Sequence, residues 1–220
     1  MFLHGYLSCN ETFKYQTEYF SRFFRTINID ITGFGKSKEL PYAYCLDDYV
    51  NDIKSVLSTL NINEYNLIAH SFGGRIALKI ASEDNCINKL ILTGAAGLKP
   101  KRSLKYYYKI YTYKIIKRFL SEEKKNKYGS YELKQLTGYN RQSYVKIVNE
   151  FLDKKLKHIT AKTLIINGEN DLETPLYMAK KLNKNIINSS LYIIKNSSHF
   201  CFLEKYNEFN IVVDEFLRGL

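Results

Sequence analysis

Apolar residues gather along the chain in short unbroken runs separated by longer stretches with one apolar side. Five runs read as strands: Arg25 to Asp30, Tyr65 to His70, Lys89 to Thr93, Thr163 to Asn167 and Leu191 to Ile194. Gly33, Gly94 and Gly168 follow three of them. Runs that are continuous rather than alternating suit strands covered on both faces. Between them lie helical patterns. From Asp47 to Leu60, the residues Tyr49, Val50, Ile53, Val56, Leu57 and Leu60 recur at three- and four-residue spacing, which makes one apolar face. Gly74 to Ser82 reads as a small-residue helix able to pack closely. A further helix starts at Thr174 or Pro175, where proline suits a first turn. The last, Tyr206 to Leu217, carries Phe209, Val212, Val213, Phe216 and Leu217 on one side. Strand and helix signals in alternation predict an α/β fold, a mostly parallel sheet with helices on both faces.

The stretch 98–157 breaks the alternation. It is helical in pattern, carries no clear strand, and is too long for a plain crossover. It reads as an inserted helical lid, with the core domain formed by 1–97 and 158–220. From Lys99 to Lys127 there are eleven Lys or Arg against two Glu, a net of +9, interleaved with Tyr106, Tyr107, Tyr108, Tyr111, Tyr113 and Phe119. One reading is a solvated basic face opposite an aromatic face packed on the core. The other is a surface that recruits an anionic substrate, an acidic carrier or an anionic membrane. No recognised nucleic-acid module accompanies it, so nucleic acid is not an expected partner.

The 220 residues are 45% hydrophobic, enough for one globular domain with a sizeable core. No run reaches the roughly 18 apolar residues of a membrane helix. The start, Met1-Phe2-Leu3-His4-Gly5, lacks the basic-then-apolar order of a signal peptide. Cys9, Cys45, Cys86 and Cys201 are scattered, without disulfide-framework or zinc-site spacing. Reduced thiols in the cytoplasm are the expectation. The net charge of +11 fits either attraction to anionic partners or an amino-acid usage rich in Lys, Asn, Ile and Tyr.

Ala69-His70-Ser71-Phe72-Gly73-Gly74 follows a strand and opens a helix. A nucleophile elbow needs this context: a sharp strained turn projects the serine oxygen above the sheet edge, and small neighbours let backbone approach. Ala69 stands where the G-x-S-x-G pattern has its first glycine. Four further segments fall in the order of the α/β-hydrolase superfamily, which the chain resembles over essentially its whole length. His4-Gly5-Tyr6 resembles the H-G-x turn. Asp30 to Ser37 resembles the D-x-x-G-x-G-x-S loop of capped members. Asn167-Gly168-Glu169-Asn170-Asp171 resembles the turn carrying the acid, and Ser198-His199-Phe200 the G-H-F turn, with Ser198 in place of glycine.

The resemblance implies a triad of Ser71, Asp171 and His199, and an oxyanion hole from the backbone N–H groups of Tyr6 and Phe72. Serine needs an adjacent base to attack at neutral pH, and the base needs a carboxylate to fix its tautomer. Glu169 and Glu173 are rival acids, although spacing after the strand favours Asp171. Asp171 could instead be only a turn or cap residue, and His199 an ordinary loop histidine. His4 and His70 read as structural, and His158 lies in a polar Lys-rich stretch. Serine at the elbow argues against the aspartate-nucleophile dehalogenases and epoxide hydrolases.

Family members open with an antiparallel hairpin and a full strand before the H-G turn. The resemblance implies that the two opening strands are missing here and the third is a stub, either because the start is internal or because the chain is a shortened member. The expected activity is cleavage of a carboxylic ester or related acyl bond in a small molecule, with no cofactor and no metal. C–C bond hydrolysis, acyl transfer or a menaquinone-pathway lyase-like step would use the same triad. A shortened binding protein with a dormant triad is the non-enzymatic alternative.

Overall fold

The five strand runs and the short Phe2–Leu3 segment before His4 pair into one parallel sheet in a computed structural model that describes residues 1–101, 111, 133 and 135–219. The strands are β1 (Phe2–Leu3), β2 (Asn28–Ile29), β3 (Tyr65–His70), β4 (Ile87–Thr93), β5 (Lys162–Gly168) and β6 (Ser189–Ile194), in the order β2-β1-β3-β4-β5-β6. Helices alternate with them: α1 (Lys14–Phe20), α2 (Leu46–Thr59), α3 (Phe72–Glu83), α4 (Gly138–Val148), α5 (Leu176–Asn185), α6 (Cys201–Glu204) and α7 (Tyr206–Arg218). This is the α/β-hydrolase fold expected from the sequence.

The period-two geometry of a strand divides its side chains between two cores. Leu67 and Ala69 of β3, Leu90 and Leu92 of β4, and Ile165 of β5 face one side. There they meet Tyr49, Val50 and Ile53 of α2, Ile76 and Ile80 of α3, and Met178 and Leu182 of α5. Ile68, Ile91, Leu164 and Ile166 face the other side, against Phe20 of α1, Phe202 of α6, and Phe209 and Val213 of α7. The split follows from connection handedness. The chain moves outward from β1 to β2, then reverses across the sheet to β3, and right-handed crossovers in opposite directions put their helices on opposite faces. That reversal falls between β1 and β3, where strand ends diverge and open α/β sheets bind ligands.

The run Arg25 to Asp30 yields only two strand residues. Among the described residues the sole sheet neighbour of β2 is β1, which offers two pairing positions, Phe2 to Asn28 and Leu3 to Ile29. The loop that follows is held by Asp30, whose carboxylate accepts the amides of Asn10 at 2.7 Å and Lys36 at 2.8 Å. Gly35 is obligatory in it: at φ +57°, an added methyl would stand 2.3 Å from the Asp30 carboxyl carbon.

Most of the expected lid, 102–110, 112–132 and 134, lies outside the described residues. The described part of 98–157 is anchored to the core through Arg75. Its buried guanidinium donates to the carbonyls of Ile147 at the end of α4 and Glu150 just beyond it, the latter at 2.6 Å. Among the described residues no helix is long and apolar enough to cross a membrane. No group of three or more His, Cys, Asp or Glu among them could hold a metal ion.

Candidate active site

The C-terminal ends of β1, β3, β5 and β6 bring the sequence-predicted residues to one edge of the sheet. Ser71 directly follows β3 and precedes α3, with φ 49° and ψ −108°. An L-residue pays for that conformation with strain, so the surrounding contacts must impose it. They do so on both flanks. The Ser71 amide donates to Thr93 O at 3.2 Å and its carbonyl accepts from Ala96 at 3.0 Å. Gly73 abuts β1: a methyl there would lie 2.2 Å from Leu3 O, and its amide donates to His4 O at 3.0 Å. A methyl on Gly74 would lie 2.6 Å from the Ala95 Cβ. The elbow therefore tolerates Ala69 on the strand side but needs both glycines on the helix side.

His4 locks the opposite loop. Its Nδ1–H donates to Gly5 O at 2.7 Å and its Nε2 accepts the Ile31 amide at 3.0 Å, which fixes a neutral tautomer. Burial lowers its pKa in keeping with that role. The turn it holds reaches the elbow, since a methyl on Gly5 would be 3.4 Å from Ser71 Cβ. The Tyr6 ring packs edge-on against Phe34, Phe72 and Tyr144, and its hydroxyl donates to Asn140 O at 3.1 Å. The amides of Tyr6 and Phe72 donate to no other described residue. Phe72 opens α3, where the first N–H groups have no partner within the helix and carry its positive end.

Asp171 and His199 meet across the ends of β5 and β6. His199 Nδ1–H donates to Asp171 Oδ2 at 2.9 Å, with both side chains buried. Asp171 is also a turn residue: its Oδ1 accepts the amides of Glu173 and Thr174, each at 2.9 Å, and Oδ2 accepts the Thr174 hydroxyl at 2.8 Å. Burial by itself would raise the pKa of this carboxyl. The hydrogen bond and charge of His199, with the donors of Thr174, outweigh burial and hold it below the ordinary aspartate value. Two glycines seat the pair. Gly168 backs onto the His199 loop, where a methyl would stand 2.1 Å from Ser198 O. Gly94, at φ +52°, leaves room for the imidazole, because a methyl there would be 3.0 Å from His199 Nδ1.

The two rival acids separate. Glu169 accepts the Asn196 amide at 3.1 Å and serves the loop. Glu173, which the sequence offered only as an alternative to Asp171, lies on the other side of the ring, with Oε2 3.3 Å from His199 Nε2. Ser71 Oγ forms no hydrogen bond among the described residues, so the third link of the expected triad is not made here. Behind the ring, Cys201 lies 3.4 Å from the Thr93 hydroxyl, and burial raises its thiol pKa to about 11. That makes it a packing residue rather than a nucleophile.

The chain is similar in sequence and fold to known proteins. Residues 1–110 fit the family described as alpha/beta hydrolase fold. The AB hydrolase superfamily protein YisY of Bacillus subtilis is 30% identical, covering 98% of this chain and 90% of that protein. A 2-hydroxy-6-oxo-2,4-heptadienoate hydrolase of Pseudomonas putida is 25% identical over 90% of this chain and 80% of its own. Among solved structures, an esterase from Exiguobacterium antarcticum superposes with a TM-score of 0.77 at 26% identity, covering 99% of this chain and 90% of that one. The chain belongs to the alpha/beta hydrolase family. Hydrolase activity is the function these likenesses support, without distinguishing the bond cleaved.

Proposed function

We propose that the protein is a serine hydrolase that cleaves a carboxylic ester or related acyl bond through an acyl-enzyme. The observation that carries this reading is the Asp171–His199 hydrogen bond of 2.9 Å, at the sheet edge where Ser71 is held in a strained turn. His199 Nε2 takes the Ser71 proton as Oγ attacks the carbonyl carbon. Asp171 keeps Nδ1 protonated and stabilises the imidazolium. The oxyanion is met by the amides of Tyr6 and Phe72, a contribution typically worth a hundredfold or more in rate. Collapse breaks the bond to the leaving group, which departs with the proton from Nε2. Water then repeats the sequence, releasing the acid and restoring the serine.

The likeness to a heptadienoate hydrolase supports a second reading, C–C bond hydrolysis on the same residues. A fluorophosphonate probe should label the wild type at Ser71 and leave Ser71→Ala and heat-unfolded protein unlabelled. Turnover of short 4-nitrophenyl esters, lost in His199→Ala, separates ester hydrolysis from C–C cleavage alone. Folded protein that takes no label would end the proposal.

A further inference from the structure

Glu173 is the one acidic residue that approaches the reactive nitrogen of the imidazole, 3.3 Å from His199 Nε2, among the described residues. Its backbone is fixed there because its amide donates to Asp171 Oδ1 at 2.9 Å, within the same turn that orients the triad acid. Its side chain is 59% exposed on the solvent side, while His199 and Asp171 are buried. The carboxylate thus stands on the approach to Nε2 and not behind it. A general base must come within hydrogen-bond reach of the group it serves, so Glu173 lies no more than roughly 6 Å from any substrate atom bonded to Nε2.

We propose that Glu173 is a specificity-determining residue that sets the substrate class by charge. Neutral and cationic acyl compounds are accepted, and those with a carboxylate close to the scissile bond are disfavoured. This rests on the serine-hydrolase reading above. Asp171 does not exert the same effect, because its charge is turned inward and shared among His199, Glu173 N–H and Thr174. Like charges several ångströms apart at a half-exposed site repel enough to change a rate by about fivefold to tenfold, and salt screens the effect.

The test compares two esters with the same leaving group, 4-nitrophenyl pentanoate and mono-4-nitrophenyl glutarate, after subtraction of the uncatalysed rates. In the wild type, kcat/KM should favour the neutral ester. Glu173→Gln should raise the glutarate-to-pentanoate ratio by about fivefold to tenfold at low ionic strength. Glu173→Lys should raise it further, and 0.5 M salt should shrink the difference between variants. A ratio unmoved by either substitution, with Ser71-dependent turnover intact, overturns the charge filter alone. A wild-type preference for the glutarate ester overturns it as well. Absence of any Ser71-dependent turnover overturns both the filter and the serine-hydrolase reading.

Discussion

His70 backs directly onto His199, with ring centroids 4.6 Å apart and its Nε2–H donating to the His199 carbonyl at 3.2 Å. Its Nδ1 is buried without a partner among the described residues, which fits a neutral ring. Burial, reinforced by the neighbouring His199, lowers the His70 pKa to about 3 from an ordinary 6.5. Between those values the unfolded chain takes up a proton that the native state refuses. Stability from this group is therefore complete above pH 6.5 and falls as the pH drops towards 3, by about 1 kcal/mol per pH unit. Urea midpoints measured from pH 7.5 to 4.5 should decline, and His70→Asn should show a shallower decline.

Asp171→Asn should abolish most activity while sparing the fold. The Asn oxygen can still accept the Glu173 and Thr174 amides that Asp171 Oδ1 holds. The amide NH2 cannot accept from His199 Nδ1, so the imidazole loses the tautomer that leaves Nε2 free as a base. A loss in kcat of roughly a thousandfold or more is expected. Loss of ester turnover at an unchanged thermal midpoint would bear this out, whereas nearly full activity would remove Asp171 from the mechanism.

At position 71 the usual order of stability between alanine and glycine should invert. The φ of 49° penalises any residue with a Cβ, and removing it relieves about 1 kcal/mol. Ser71→Gly should unfold at higher urea than Ser71→Ala, with both variants inactive. Equal midpoints would show that the turn stores no strain.

Gly168→Ala should damage the site through backbone rather than chemistry. The new methyl meets Ser198 O at 2.1 Å and Ser197 O at 2.7 Å, atoms that can move only by shifting the His199 loop. A cost of about 2–3 kcal/mol is expected, with slower fluorophosphonate labelling in the protein that remains folded. Wild-type labelling kinetics would contradict this account of the loop.

The parts of the fold that were legible in the sequence were those in which local pattern and tertiary demand agree. Tyr65 to His70 is a strand over its full predicted length, and the Asp47 to Leu60 pattern became Leu46–Thr59. Helix α1 went unread because its buried face includes Gln16, which breaks the apolar repeat. Its side-chain NH2 instead donates to Phe202 O and Asn210 Oδ1, more than 180 residues away. Motif order located Ser71, Asp171 and His199, and the structure joins the last two. The approach of Glu173 to Nε2 had no such signal. It joins a local turn at 171–174 to a histidine in the loop after β6, and the two meet only once β5 and β6 lie side by side.

The sheet is uneven in a way that bears on how the protein would fail. The pairs β3–β4, β4–β5 and β5–β6 zip along five or more positions each, whereas β1 is held by two on either side. Gentle warming should therefore release the Tyr6 loop while the imidazole and its aspartate remain seated, since short ladders open first. Such a half-opened molecule would keep its deuterium-protected centre yet lose an anion-binding arm, so catalysis would fade at temperatures where the bulk of the chain is still native.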